Sequence, residues 1–132
     1  MNLAPVPVPD SDTAPFWEAT AGGTLALCRC VDTGEWFHPP VERSRRTGGP
    51  VRFEPVSGRG TVFSYVVVRQ QLVPGPQVPY VIAVVELEEQ AGLRMTGVLR
   101  ADPAEVAIGM PVRAQLTVAD QAGTRAVEFV PA

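Results

Sequence analysis

His38 is the only imidazole in this 132-residue sequence, and Cys28 and Cys30 are its only thiols. Covalent acyl chemistry needs a nucleophile held against a general base. The cysteines stand at i and i+2 of an extended segment, and His38 sits between Trp36-Phe37 and Pro39-Pro40, so these residues yield no nucleophile–base pair. The expected catalytic set is empty. A disulfide is disfavoured too, because an extended chain holds i and i+2 near the upper α-carbon separation and points both side chains the same way. Cys28 and Cys30 therefore read as small reduced core residues, and His38 as structural. Structural zinc calls for roughly four ligands, and Cys28, Cys30 and His38 are too few.

The second chemical feature is guanidinium. There is no Lys, and all eleven basic residues are Arg. The overall net charge of −3 conceals a division: six carboxylates against Arg29 over residues 1–42, then Arg43, Arg45, Arg46, Arg52 and Arg59 against Glu54 over 43–59, then seven carboxylates against five Arg over 60–132. An arginine cluster between acidic segments is either a solvated loop or an anion site, since guanidinium suits phosphate oxygens.

The elements that must position these groups are short. Fourteen Pro and twelve Gly, with 45% hydrophobic residues and no long helical pattern, predict an all-β chain with one or two short helices. The organising stretch is 56–68, V-S-G-R-G-T-V-F-S-Y-V-V-V, a bend at Gly58-Arg59-Gly60 followed by a β-branched and aromatic strand. Strict alternation places Val62, Val66 and Val68 on one face and Phe63, Tyr65 and Val67 on the other. Both faces are apolar, so one needs a cover, either the N-terminal third of the chain or another protein.

Upstream, residues 1–12 read as a flexible Pro-rich arm. Thr13 is placed to cap a short helix carrying Phe16, Trp17 and Glu18, which Gly22-Gly23 ends. Phe16 and Trp17 are too large to leave in water on so short a helix. Residues 25–30 and 36–37 form a hairpin across Asp32-Thr33-Gly34, and a second glycine turn, Thr47-Gly48-Gly49, makes two knuckles. Downstream, strands at 80–87, 93–99, 112–118 and 125–130 follow a proline-rich connection at 71–78. Asp102-Pro103-Ala104-Glu105 has the form of a helix start between the third and fourth of the five strands, the order of an OB-fold.

F-W at 16–17, G-x-L at 23–25, Cys30-x-x-Thr33-Gly34, P-P at 39–40, Ser44-x-x-Thr47-Gly48, S-G-R-G-T-V-F-S-Y at 57–65, P-Y-V-I-A-V-V-E-L at 79–87 and D-P-A-E-V-A-I-G-M-P-V at 102–112 carry a resemblance. The chain resembles the bacterial and archaeal family in which a rubredoxin-like zinc ribbon precedes an OB-fold, over most of its length. The resemblance implies a short helix plus ribbon subdomain at 13–55 and a five-stranded OB barrel at 56–132. It also implies two C-x-x-C pairs, which fall here on Cys30/Thr33 and Ser44/Thr47. Three of four thiolates are thus absent, the ribbon is degenerate, and no zinc is expected.

Members of that family accompany acyl-CoA enzymes. The resemblance therefore implies a non-catalytic accessory subunit of a thiolase-like (acyl transfer or retro-aldol) or acyl-CoA hydratase complex, supporting the partner's active site and acyl-CoA entrance. Phe16, Trp17, Phe63 and Tyr65 are the candidate interface residues. The alternative is a free-standing acyl-CoA or acyl-carrier binding module whose Arg43, Arg45, Arg46 and Arg59 hold the phosphates. Single-stranded nucleic acid is disfavoured, because the segment 80–99 carries Tyr80 as its one aromatic and is net acidic. No apolar run approaches the roughly 18 residues that span a membrane, and the N-terminus lacks a signal pattern, so the expected location is the cytoplasm.

Overall fold

The structure, a computed structural model, describes residues 7–71, 74–118 and 125–132. Part of the arm expected at 1–12 and part of the connection expected at 71–78 lie outside the described residues. Helix α1 (Ala14–Ala21) leads into β1 (Ala26–Cys30), β2 (Trp36–Phe37) and β3 (Val51–Pro55), an antiparallel sheet in the order β2-β1-β3. Strands β4 (Arg59–Val68), β5 (Tyr80–Leu87), β6 (Arg94–Leu99), β7 (Pro111–Val118) and β8 (Arg125–Pro131) close a barrel in the order β4-β5-β6-β8-β7. All pairings are antiparallel except the β6–β8 contact that closes it. A 3-10 turn at Pro103–Glu105 sits between the third and fourth barrel strands, and Asp102 caps it by accepting from the Ala104 N–H at 3.0 Å. This is the OB-fold order expected from the sequence. No helix among the described residues is long and apolar enough to cross a membrane.

The start of α1 differs from expectation. The Thr13 side chain makes no forward capping bond; its hydroxyl accepts from the Asp10 N–H at 3.0 Å, while Asp10 Oδ1 accepts from the Thr13 N–H at 2.9 Å. The reciprocal box therefore lies one turn upstream of the helix, and Asp10 Oδ1 accepts from the Asp12 N–H at 3.0 Å as well. The C-terminus behaves as read: Gly23 and Thr24 donate back to Thr20 and Ala19, both at 2.9 Å, a Schellman closure.

A β-bulge in β4 overturns the face assignment. The pairing with β5 runs Val62↔Val85, then shifts so that Ser64 faces Val84, leaving Phe63 as the extra residue. Inserting one residue into one strand reverses the side-chain alternation beyond it. Val62, Tyr65 and Val67 consequently point with Val85, Ala83 and Val81 into the barrel, while Val66 turns outward and is 59% exposed. Strict alternation had placed Val62 and Val66 together.

The core resolves what covers what. Phe16, Leu25, Leu27 and Trp36 from the N-terminal elements join Val62, Val85, Leu99 and Phe129 of the barrel in one apolar cluster. Phe16 is only 5% exposed, so this candidate interface residue is a core residue: the eight-residue helix is held by burying it. Strand β1 is buried on both sides. Leu27 belongs to the barrel cluster, and Cys28 and Cys30 to a second, smaller cluster with Phe37.

Candidate functional site

The two glycine turns are alike bond by bond. In the first, the Cys30 N–H donates to the Glu35 carbonyl at 2.7 Å and the Gly34 N–H returns to the Cys30 carbonyl at 2.9 Å. In the second, the Ser44 N–H donates to the Gly49 carbonyl at 3.0 Å and the Gly48 N–H returns to Ser44 at 2.9 Å. Gly34 and Gly48 take φ of 78° and 72°, a region closed to most side chains, which is why the sequence needs glycine there. In each turn the hydroxyl three residues after the first position accepts from the N–H two residues further on: Thr33 from Glu35 at 3.2 Å, Thr47 from Gly49 at 3.1 Å.

Cys30, Thr33, Ser44 and Thr47 converge in this frame. The Cys30 sulfur lies 3.9 Å from Thr47 Oγ1, and the side chains of Ser44 and Thr33 lie beside it, lowering the thiol to about 7. Ser44 Oγ accepts from the N–H groups of Arg46 and Thr47 at 3.1 and 3.2 Å. The arrangement has the outline of a metal knuckle, but the donor set does not suit zinc: one thiol and three neutral hydroxyls are poor partners for that ion. Among the described residues no group of three or more His, Cys, Asp or Glu could hold a metal. Cys28 lies apart, donating to the Val41 carbonyl at 3.7 Å, and burial raises its thiol; both cysteines are free and buried.

His38 offers no base to either thiol. It is half-buried, its ring centroid 6.1 Å from that of Phe16, and burial holds its imidazole below its usual range. Its Nδ1 has no hydrogen-bond partner. Trp17 meets Phe16 edge-on at 4.8 Å and, half-buried, lines with His38 and Pro39 a groove of about 340 Å³ between α1 and the barrel.

The four candidate phosphate arginines are divided. Arg45 and Arg46 line a cleft of about 420 Å³ that also takes in Glu35, His38 and Gln90. Arg46 is already paired with Glu35 by two bonds at 2.9 and 3.0 Å, which holds that carboxyl below its usual range. Arg43 reaches back to the Gly48 carbonyl at 3.5 Å. Arg59, on β4, pairs with Glu88 at 2.9 Å and lines a separate cleft with Gly60 and Pro111. Linear proximity to Arg46 does not carry Arg59 into the same cleft, because β3 intervenes.

The barrel presents a surface that strict alternation missed. Val66 pairs with Ile82 and Ile82 with Val98, so an apolar row crosses the outside of β4, β5 and β6. At its rim Phe63 is 45% exposed, with the Arg94 guanidinium 3.6 Å from its ring centroid and Arg94 paired to Glu86 at 3.2 Å. Tyr65, the remaining candidate interface residue, packs instead against the core. A single-strand platform would put stacking rings and free cations on this face; its central row is aliphatic, the exposed Phe63 ring is covered by Arg94, and that cation is paired with Glu86.

Comparison with known proteins agrees with this architecture. The family described as "ChsH2, C-terminal OB-fold domain" matches residues 53–117. The chain is 52% identical over 110 residues to the 3-oxo-4,17-pregnadiene-20-carboxyl-CoA hydratase alpha subunit of Mycobacterium tuberculosis, an alignment covering 82% of this chain and 34% of that protein. It thus spans about a third of the length of that curated relative. A DUF35 domain-containing scaffold protein of Methanocaldococcus jannaschii is 39% identical over 92 residues, covering 65% of this chain and 62% of the relative. A solved structure described as "Ltp2-ChsH2(DUF35) aldolase" matches with a TM-score of 0.86 at 31% identity, covering 95% of this chain and 98% of that one. The chain belongs to the DUF35 family, with a barrel of the ChsH2 C-terminal OB-fold type.

Proposed function

We propose that this chain is a non-catalytic accessory subunit of an acyl-CoA hydratase or a thiolase-like (acyl transfer or retro-aldol) complex, supporting the partner's active site and its acyl-CoA entrance. The observation that carries this reading is the outward row Val66, Ile82 and Val98, a β-branched surface suited to a protein partner and poor in the groups that read nucleic acid. Two further facts support it. Among the described residues the two thiols meet the Val41 carbonyl and the Thr47 hydroxyl and not a base, and relatives of this chain are named as hydratase subunits and as a scaffold. The test is co-expression with a hydratase-like or thiolase-like partner, followed by size exclusion and thioester assays with and without this subunit. Thioester turnover by this chain alone, lost in Cys30→Ala or His38→Ala, would overturn the reading.

The second reading is a free-standing acyl-CoA or acyl-carrier binding module. It is favoured by the cleft that Arg45 and Arg46 line, whose guanidinium groups match the phosphates of such a ligand. Arg59 contributes to this only if one ligand spans both clefts. Calorimetry of the isolated chain with a CoA ester separates the two readings, since the accessory role does not require affinity without a partner.

A further inference from the structure

The two knuckles are superimposable in their hydrogen bonding, yet the ion that such a frame encloses is not served by the side chains present. Something else must join them. Asp32, in the first knuckle, accepts from the Thr47 hydroxyl of the second at 2.9 Å. The same Thr47 oxygen accepts from the Gly49 N–H at 3.1 Å and faces the Cys30 sulfur at 3.9 Å. A hydroxyl has one proton to give and two lone pairs, so these three contacts use its full capacity. Asp32 Oδ2 packs so closely on the α-carbon of Gly49 that a Cβ there would collide with it. Ser44, 4% exposed, spends its lone pairs on the N–H groups of Arg46 and Thr47, and its side chain lies beside the Cys30 sulfur.

We infer that the knuckle pair is a metal-free clasp, in which Asp32, Thr47 and Ser44 around Cys30 take over the cross-linking that an ion would perform. The clasp keeps the ligand geometry without the ligands. Replacing three hydroxyls by thiols, in Thr33→Cys, Ser44→Cys and Thr47→Cys together, should therefore recreate a tetrathiolate site for a soft divalent ion. The clasp also explains Asp32 and Gly49, positions that a metal knuckle has no need to specify.

The test uses the full chain, with Co(II) as the probe. The protein as it stands is expected to show no thiolate-to-cobalt absorption and no change of Tm with a chelator. The triple variant, reduced and refolded with Co(II), is expected to bind one equivalent with a tetrahedral thiolate spectrum and to become chelator-sensitive. Thr47→Val keeps shape and removes the hydroxyl; its far-UV spectrum should persist while amide exchange at Gly49 rises by about fivefold or more. Stoichiometric zinc or cobalt in the unaltered chain would overturn the inference. So would a triple variant that gives no tetrahedral spectrum, or Gly49 exchange unmoved in Thr47→Val.

Discussion

The side-chain amide of Gln90 closes a two-bond ring with the main chain of Trp36: its Oε1 accepts the Trp36 N–H at 2.9 Å, and its Nε2 donates to the Trp36 carbonyl at 3.1 Å. Gln90 lies just beyond β5 and Trp36 on the edge of the three-stranded sheet, so one side chain acts as an extra strand residue and ties the sheet to the barrel. Removing it strands a main-chain donor and acceptor. Gln90→Ala should lower stability by about 1–3 kcal/mol in urea unfolding. Gln90→Glu should cost more at neutral pH than in acid, because its carboxylate would then face the Trp36 carbonyl. Equal urea midpoints for Gln90→Ala and the unaltered chain would refute the tie.

The docking face can be tested without damaging the barrel. Val66 is 59% exposed, so Val66→Asp should change monomer stability by about 1 kcal/mol or less. In the partner complex it buries a charge and should abolish co-elution, with Ile82→Asp acting in the same sense. Undiminished co-elution of Val66→Asp would move the interface elsewhere.

If the cleft beside Gln90 holds CoA phosphates, Arg45→Ala with Arg46→Ala should weaken CoA-ester binding and flatten its salt dependence. Exposed charge-assisted contacts are worth about 1 kcal/mol each, or roughly fivefold in affinity. Arg59→Ala, in the neighbouring cleft and paired with Glu88, serves as the control and should leave affinity near that of the unaltered chain. Calorimetry at two ionic strengths reads both outcomes.

Burial depresses the His38 imidazole below its usual 6.5, so the folded chain holds it neutral while the unfolded chain takes up a proton first. The stability this contributes is fully present above the unfolded value and is lost as pH falls through the lower folded value. Glu35, Glu54 and Glu88 are also lowered, but from 4.5, so their loss begins at more acid pH. Cys30, lowered from 9.0 to about 7, loses its own contribution between those values, so the decline that begins near pH 6.5 should start with His38, and His38→Gln should flatten the first part of it. An identical slope in the variant would assign the decline to the carboxylates.

What the sequence determined by itself was the set of elements whose signals are local. Five apolar runs separated by turn residues, Asp102 and Pro103 opening a short turn, and Gly34 and Gly48 at matching places each carry their signature within a few residues. The tertiary structure decided the rest, because the deciding contacts join distant residues. One inserted residue at Phe63 has no local mark, yet it exchanged the faces of Tyr65 and Val66, sending the aromatic side chain to the core and the aliphatic one outward. Phe16 is in the core only because the barrel cluster lies beneath α1. Arg59 parts from Arg46 because β3 returns the chain to another cleft, and Gln90 meets Trp36 across 54 residues of sequence. Periodicity states that a face is apolar; what packs against it is settled only when the chain closes on itself.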